Sequence, residues 1–312
     1  MMGRRAVVVG GIALASLTLA AIPAGAEDLA DYLGEADRAV YSGQRIIRTT
    51  WDGFEQIGIV EVEHADGMTI LGRGEGRAIV GGGKMHPMAS GEGAVAFLRR
   101  SVRSGDDRYT VVEGGSTSRF GRDARILDVM EGDLLRMRLV LDRDTAAPLA
   151  TQVFDDLGRP FRETSMVEFV PNVRTMPLPD GDDGEYDVMM PVTGSGLPVG
   201  AGDYDLVDVY RGPGGARHGF YTDGLFSFSV FESDGSSDVS RIARGGTPYL
   251  VDGSEYTRVI APADAWVVWT DQDRTFVLVG DLPPDHLENV LADLPRPATQ
   301  PWYQRIWHSI FG

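Results

Sequence analysis

The 312-residue chain contains no cysteine. That excludes a disulfide framework, a thiol nucleophile, a thiolate metal site and a lipid-modified N-terminal cysteine. Positive charge is also scarce: 29 Lys and Arg stand against 46 Asp and Glu, a formal net charge of -17. Such a surface repels phosphate backbones and anionic head groups, so nucleic acid is not an expected partner. Histidine occurs five times, at 64, 86, 218, 286 and 308, and no two have metal-ligand spacing on one element. They read as surface or packing residues. The glycine clusters Gly72-Arg-Gly74-Glu-Gly76 and Gly81-Gly-Gly83-Lys84 approach a phosphate loop, but Met85 follows Lys84 and the dinucleotide spacing is incomplete, so they read as loops. No Gly-x-Ser-x-Gly elbow occurs; Gly194-Ser195-Gly196 lies in a proline-rich stretch. The pairs Asp106-Asp107, Asp155-Asp156 and Asp182-Asp183 sit beside turn signals and read as solvated turns rather than glycosidase carboxylates. No catalytic residue, metal or cofactor is assigned, and the chain does not read as an enzyme.

What is present is the composition of a folded protein, 43% hydrophobic and 24% charged. Met1-Met-Gly-Arg4-Arg5, an apolar run from Ala6 to Ile22 and Ala24-Gly25-Ala26 are the basic, apolar and small-residue regions of a signal peptide. Cleavage is expected after Ala26, which places the mature chain in the periplasm or extracytoplasmic envelope. A retained anchor is the alternative, because the apolar run is only slightly short of a spanning helix. Loss of Arg4 and Arg5 leaves 27 basic against 46 acidic residues, a formal charge of -19.

The patterning predicts an α+β protein, mostly antiparallel β. Asp28 to Val40 reads as a helix capped by Asp28, with Leu29, Tyr32, Leu33, Ala36 and Val40 on one stripe. Strands follow at 42–51, 56–64 and 68–71, the last two joined by Asp66-Gly67, a tight-hairpin signal. Residues 92–101 can form a helix. Leu135, Met137, Leu139 and Leu141 alternate with Arg136, Arg138 and Val140, a strand with one apolar face. Strands at 149–155 and 161–170, separated by Asp156-Leu-Gly158, complete a meander. Four prolines between Pro171 and Pro191 mark a linker at 173–195 between domains at 27–172 and 196–294. The second domain should hold strands at 203–210, 225–231, 256–260, 265–270 and 275–280. A helix should then open at Pro283-Pro284 with Leu287, Val290, Leu291 and Leu294 on one face.

In the run Tyr221-Thr-Asp223-Gly224-Leu225-Phe226-Ser-Phe228-Ser-Val230, Thr222-Asp223-Gly224 supplies turn chemistry. Beyond it, Phe226, Phe228 and Val230 alternate to one face, with Leu225, Ser227, Ser229 and Phe231 on the other. A turn feeding a half-buried strand accounts for this stretch without any function. The run also resembles, nearly residue for residue, a segment of the RseB/MucB family of envelope-stress regulators. Two further segments resemble that family in its own order: Leu141-Asp-Arg-Asp-Thr-Ala-Ala-Pro148-Leu149 with Phe154-Asp-Asp-Leu-Gly158, and Val279-Gly280-Asp-Leu-Pro283-Pro284. The resemblance implies an N-terminal domain similar to the lipoprotein carriers LolA and LppX, a curved, unclosed antiparallel sheet with helices across it. A smaller α+β domain should follow. It further implies a regulator that binds the extracytoplasmic domain of an anti-sigma factor, shields it from proteolysis and responds to lipid-like ligands. The partner-binding candidates are then Tyr221, Asp223, Gly224, Leu225, Phe226 and Phe228. The alternatives are a carrier of lipid or lipoprotein chains in the same concave sheet and a purely structural envelope module.

The tail, 295–312, carries Trp302, Tyr303, Ile306, Trp307, Ile310 and Phe311 at helical spacing, with Gln304, Arg305, His308 and Ser309 opposite. Two readings stay open, a peripheral contact with membrane or partner and docking onto the second domain's own sheet.

Overall fold

The computed structural model describes residues 26–73, 76–81, 94–96, 98–99, 108–174, 190–191, 196–211, 215–234, 243–262 and 265–298. The expected signal segment, most of the expected linker and the tail residues Trp302 to Phe311 lie outside them. Among the described residues no helix is long and apolar enough to cross a membrane.

The helix α1 spans Ala26–Glu35 and tightens into a 3-10 turn at Ala36–Arg38. Asp28 therefore lies in its first turn instead of capping it, since Ala26 and Glu27 are themselves good helix formers. Its stripe is as expected, with Leu29, Leu33 and Ala36 buried.

Nine strands follow in one antiparallel sheet: β1 Tyr41–Trp51, β2 Phe54–Ala65, β3 Met68–Arg73, β4 Gly76–Gly81, β5 Tyr109–Arg119, β6 Arg122–Glu131, β7 Leu134–Asp142, β8 Pro148–Phe154 and β9 Pro160–Pro171. Their order is β4-β3-β2-β1-β9-β8-β7-β6-β5, so among the described residues β4 and β5 are the two edges and the sheet is unclosed. Asp66 and Gly67 both have positive φ, 54° and 72°, as a two-residue hairpin turn requires. The same dipeptide turns the chain at Asp52-Gly53 and Asp252-Gly253. One face buries Leu127, Val129, Met137, Leu139, Leu141 and Val153 in a core with α1 and the helical residues Ala94, Val95 and Leu98.

Three strands here depart from the sequence reading. The glycine cluster at 72–76, read as a loop, is where β3 turns into β4. β5 and β6 were not expected. In β5 the register slips between Glu113 and Gly115, leaving Gly114 unpaired with β6, and this bulge breaks the period of two on which a strand is recognised; the slip at Val129 and Met130 instead inserts Arg136 on β7.

The second sheet comprises β10 Met190–Pro191, β11 Gly200–Ala201, β12 Tyr204–Arg211, β13 Arg217–Thr222, β14 Ser227–Asp234, β15 Thr247–Val251, β16 Ser254–Ile260, β17 Ala265–Asp271 and β18 Arg274–Gly280. Its order is β10-β12-β13-β14-β18-β17-β16-β15, with β11 also on β12. Pro191, within the expected linker, sits on the edge strand, where a residue without an N–H is tolerated. The expected strand at 225–231 begins two residues later, because Leu225 and Phe226 still belong to the turn. β13 and β15 were not expected. The helix α2, Pro284–Asp293, has proline in its first turn and buries Leu287, Val290 and Leu291.

Candidate functional site at the junction of the two sheets

The Thr222-Asp223-Gly224 turn is closed by its own side chains. Asp223 Oδ1 accepts from the N–H groups of Leu225 at 2.9 Å and Phe226 at 2.8 Å. Thr222 Oγ1 accepts from Gly224 N at 2.9 Å and donates to Phe226 O at 2.8 Å. Gly224 takes φ 98°, which a side chain would oppose. The turn delivers Phe226 and Phe228 to the interior, 0% and 1% exposed.

Two of the three segments singled out in the sequence prove to be neighbours. Phe228 on β14 pairs with Gly280 on β18, and Ser229 with Val279. A Cβ on Gly280 would stand 2.6 Å from Phe228 Cβ and 2.9 Å from Ser227 O, so glycine is what lets the strands close here. Tyr221 stacks on Phe228, centroids 4.8 Å apart and planes 2° apart, and donates to Pro198 O at 2.9 Å. Tyr204 meets the edge of Phe228 at 5.3 Å.

The second oxygen of Asp223 leaves this sheet altogether. Asp223 Oδ2 accepts from Tyr109 Oη of β5 at 2.6 Å, and Arg108 stands 3.7 Å away. Burial pushes the Asp223 carboxyl up, against the opposing pull of the Tyr109 hydrogen bond, the Phe226 N–H and Arg108. Burial likewise raises the Tyr109 phenol, and Asp223 adds to it. Phe226 sets its edge between Tyr109 at 6.4 Å and His286 of α2 at 5.5 Å.

His286 extends the cluster: its Nδ1 is 2.6 Å from Tyr204 Oη, and its Nε2 is 3.5 Å from Glu131 and 3.7 Å from Asp285. Burial holds its pKa below the usual value near 6.5, outweighing Asp285 and Glu131. Arg136 donates to Glu131 at 2.6 Å and pairs with Asp285 at 2.9 Å. Burial alone would raise the Glu131 carboxyl, but the hydrogen bond and charge of Arg136, with Arg108 and His286, hold it low.

A second contact joins the sheets elsewhere. Arg258 of β16 lies over the rings of Trp51 at 4.5 Å and Tyr249 at 4.7 Å and donates to Asp52 at 2.8 Å. Thr49 Oγ1 donates to Pro262 O at 2.7 Å, and a Cβ on Gly58 would lie 2.8 Å from Pro262 Cβ.

The candidate residues Tyr221, Asp223, Leu225, Phe226 and Phe228 are thus brought together with Gly224, but turned inward at this junction. Sequence reasoning missed Arg108, Tyr109, Glu131, Arg136 and His286. Arg136 falls on the polar face of β7, yet it is 5% exposed, because Asp285 in the first turn of α2 waits there. Nothing local to β7 or to α2 announces a partner that far along the chain. Among the described residues no group of three or more His, Asp or Glu is arranged to hold a metal ion.

No protein-family model and no curated protein matches the chain. Among solved structures, it is similar to MucB. The crystal structure of MucB in complex with MucA(peri) matches at 20% identity, covering 88% of this chain and 100% of that one, with TM-score 0.49. The Pseudomonas aeruginosa MucA/MucB complex matches at 20% identity over 88% and 99%, TM-score 0.46. A LolA superfamily protein from Nitrosomonas europaea matches at 11% identity over 83% and 96%, TM-score 0.19.

Proposed function

We propose that this chain is an exported regulator that binds the extracytoplasmic domain of an anti-sigma factor and controls its proteolysis in response to lipid-like envelope signals. Cleavage after Ala26 would deliver it to the extracytoplasmic envelope as two domains, 27–172 and 196–294, joined by the linker at 173–195. The observation that carries the reading is the pairing of Phe228 with Gly280, which sets two of the family-like segments side by side although some fifty residues separate them. Segments that resemble a family in order, and that also build one site together, are not expected of unrelated turns. The partner-binding role of Tyr221, Asp223, Gly224, Leu225, Phe226 and Phe228 belongs to this proposal. Their burial gives it a form: they shape the junction that the partner reads, through its geometry more than through their own surfaces. Titration calorimetry of the mature chain with the exported domain of an anti-sigma factor should show saturable binding, and no heat at micromolar concentrations overturns the assignment. The lipid arm is tested by native mass spectrometry after mild purification, where an amphiphile adduct is expected.

The tail residues Trp302, Tyr303, Ile306, Trp307, Ile310 and Phe311 are proposed to touch membrane or partner. Trp269 Nε1 donates to Pro295 O at 2.7 Å and Ala298 N to Thr270 O at 3.0 Å, so a truncation should end after Ala298 to spare both. Loss of liposome flotation at an unchanged melting temperature is the expected result. A lowered melting temperature with equal flotation would mean that the tail is core.

A further inference from the structure

Among the described residues the two sheets meet at two places that differ in their share of charge. At the first, ionisable groups from both sides interlock beside the rings of Tyr109 and Phe226: Tyr109 with Asp223, Arg136 with Asp285, and Arg108 with Asp203 and Asp223. At the second, one guanidinium, paired with Asp52, is held between two rings, and Pro262 packs directly on the backbone of Gly58. We propose that these contacts form a two-point latch, in which the polar end opens while the Arg258 end holds, and that opening weakens the hold on the polypeptide partner.

The asymmetry follows from solvation. Separating the polar end bares the rings of Tyr109 and Phe226, 2% and 0% exposed, but it also returns the Asp223, Asp285 and Arg136 side chains to water, and their hydration offsets much of the attraction that is lost. Separating the other end exposes the faces of Trp51 and Tyr249, 5% and 8% exposed in the joined state, and there only the single Arg258–Asp52 pair gains hydration in return. The polar end is therefore the one that yields.

One carboxylate also carries the signal. Asp223 Oδ2 makes the contact across the junction, while Oδ1 holds the turn that aims Phe226 and Phe228. A change in the position of this carboxylate reaches β14 directly. The latch thus assigns a regulatory role to Tyr109 as a positioning residue. The partner arm of the inference rests on the function proposed above; the latch itself does not.

The absence of cysteine makes the test direct, because introduced cysteine pairs are the sole labelling sites. Thr110 on β5 and Val207 on β12 report on the polar side, and Ile59 on β2 with Leu250 on β15 on the other; all four are exposed. In spin-label distance measurements on the full mature chain, Tyr109→Phe should lengthen the Thr110 to Val207 separation and leave Ile59 to Leu250 unchanged. Asp223→Asn keeps an acceptor for the Leu225 and Phe226 N–H groups and removes the charge, and it should do the same. Both substitutions should weaken binding of an anti-sigma factor's exported domain by about fivefold or more, the lower range of coupling between linked equilibria. Unchanged distances in both variants overturn the latch, and equal lengthening of both pairs overturns the fixed end. Lengthening with unchanged affinity overturns the regulatory coupling. If the unmodified chain binds no such domain, the proposed function fails, while the distances still decide for or against the latch.

Discussion

The two sheets have nine strands each and share one antiparallel plan, yet they bury different chemistry. The second is built on rings whose polar tips reach main-chain carbonyls: Tyr221 to Pro198, Tyr256 to Leu291 and Trp269 to Pro295. Each ring fills volume and also ties down a turn, the end of α2 or the segment beyond it. The first sheet buries aliphatic side chains and the larger share of charge, with Arg45, Glu63, His64 and Arg162 all under 6% exposed, although Glu232, Arg258 and Asp281 are as deeply buried in the second. Bulges interrupt both, at 44/45, 113/115, 129/130, 140/141 and 153/154 in the first and at 206/208 in the second. The more polar core bends its strands more often to satisfy its polar groups.

The largest expected effect tests the ring-built side. Phe228→Ala removes the ring stacked on Tyr221 and abutted by Tyr204, and should cost about 3–5 kcal/mol in urea denaturation. A loss below about 1 kcal/mol would mean that the rings are replaceable filling, and the contrast between the sheets would collapse.

Two glycines sharpen it next. Gly280→Ala sets a methyl against the Cβ of Phe228 and the carbonyl of Ser227, neither of which is a flexible side-chain end, and should destabilise by about 1–3 kcal/mol. Gly34 lies within α1, and a Cβ there meets nothing within 4 Å. Gly34→Ala should therefore stabilise the first sheet's helix by roughly 0.4–1 kcal/mol, read from the same denaturation curves. Equal signs for the two substitutions would contradict the packing described.

The smallest effect is expected from pH at the polar junction. His286 has a lowered pKa, so the unfolded chain binds its proton first as pH falls below about 6.5. Its contribution to stability is present above that value and declines as pH drops through the lowered one. Asp223 is raised, so its contribution has the opposite sign: it is present below the usual carboxylate value near 3.8 and lost as pH rises through the raised one. Asp285, Glu131, Arg136 and Asp223 all act on the imidazole, and they stay in place in His286→Gln. That variant should show a flatter stability profile between pH 5 and 7 than the parent, and an unchanged slope there would remove His286 as its source.

Much of the fold was legible because local rules sufficed. The Asp66-Gly67 hairpin follows from two residues that accept positive φ, and α2 from Pro284 with leucine and valine at helical spacing. The Thr222-Asp223-Gly224 turn closed through the very side chains that suggested it. The mistaken or missing elements are those where tertiary context overruled the period: β4 among glycines, β5 with its bulge and β6 beside it, and the short β13 and β15.

What the sequence determined alone is the antiparallel β character, the turn chemistry and the strong acidity, since these depend on neighbours one to four residues apart and on composition. The tertiary structure decided where Asp223 spends its second oxygen, why Arg136 is buried, and which glycines must remain glycine. Each of those rests on a partner some 50 to 200 residues away, and no local preference encodes an encounter that only the packing of two sheets brings about.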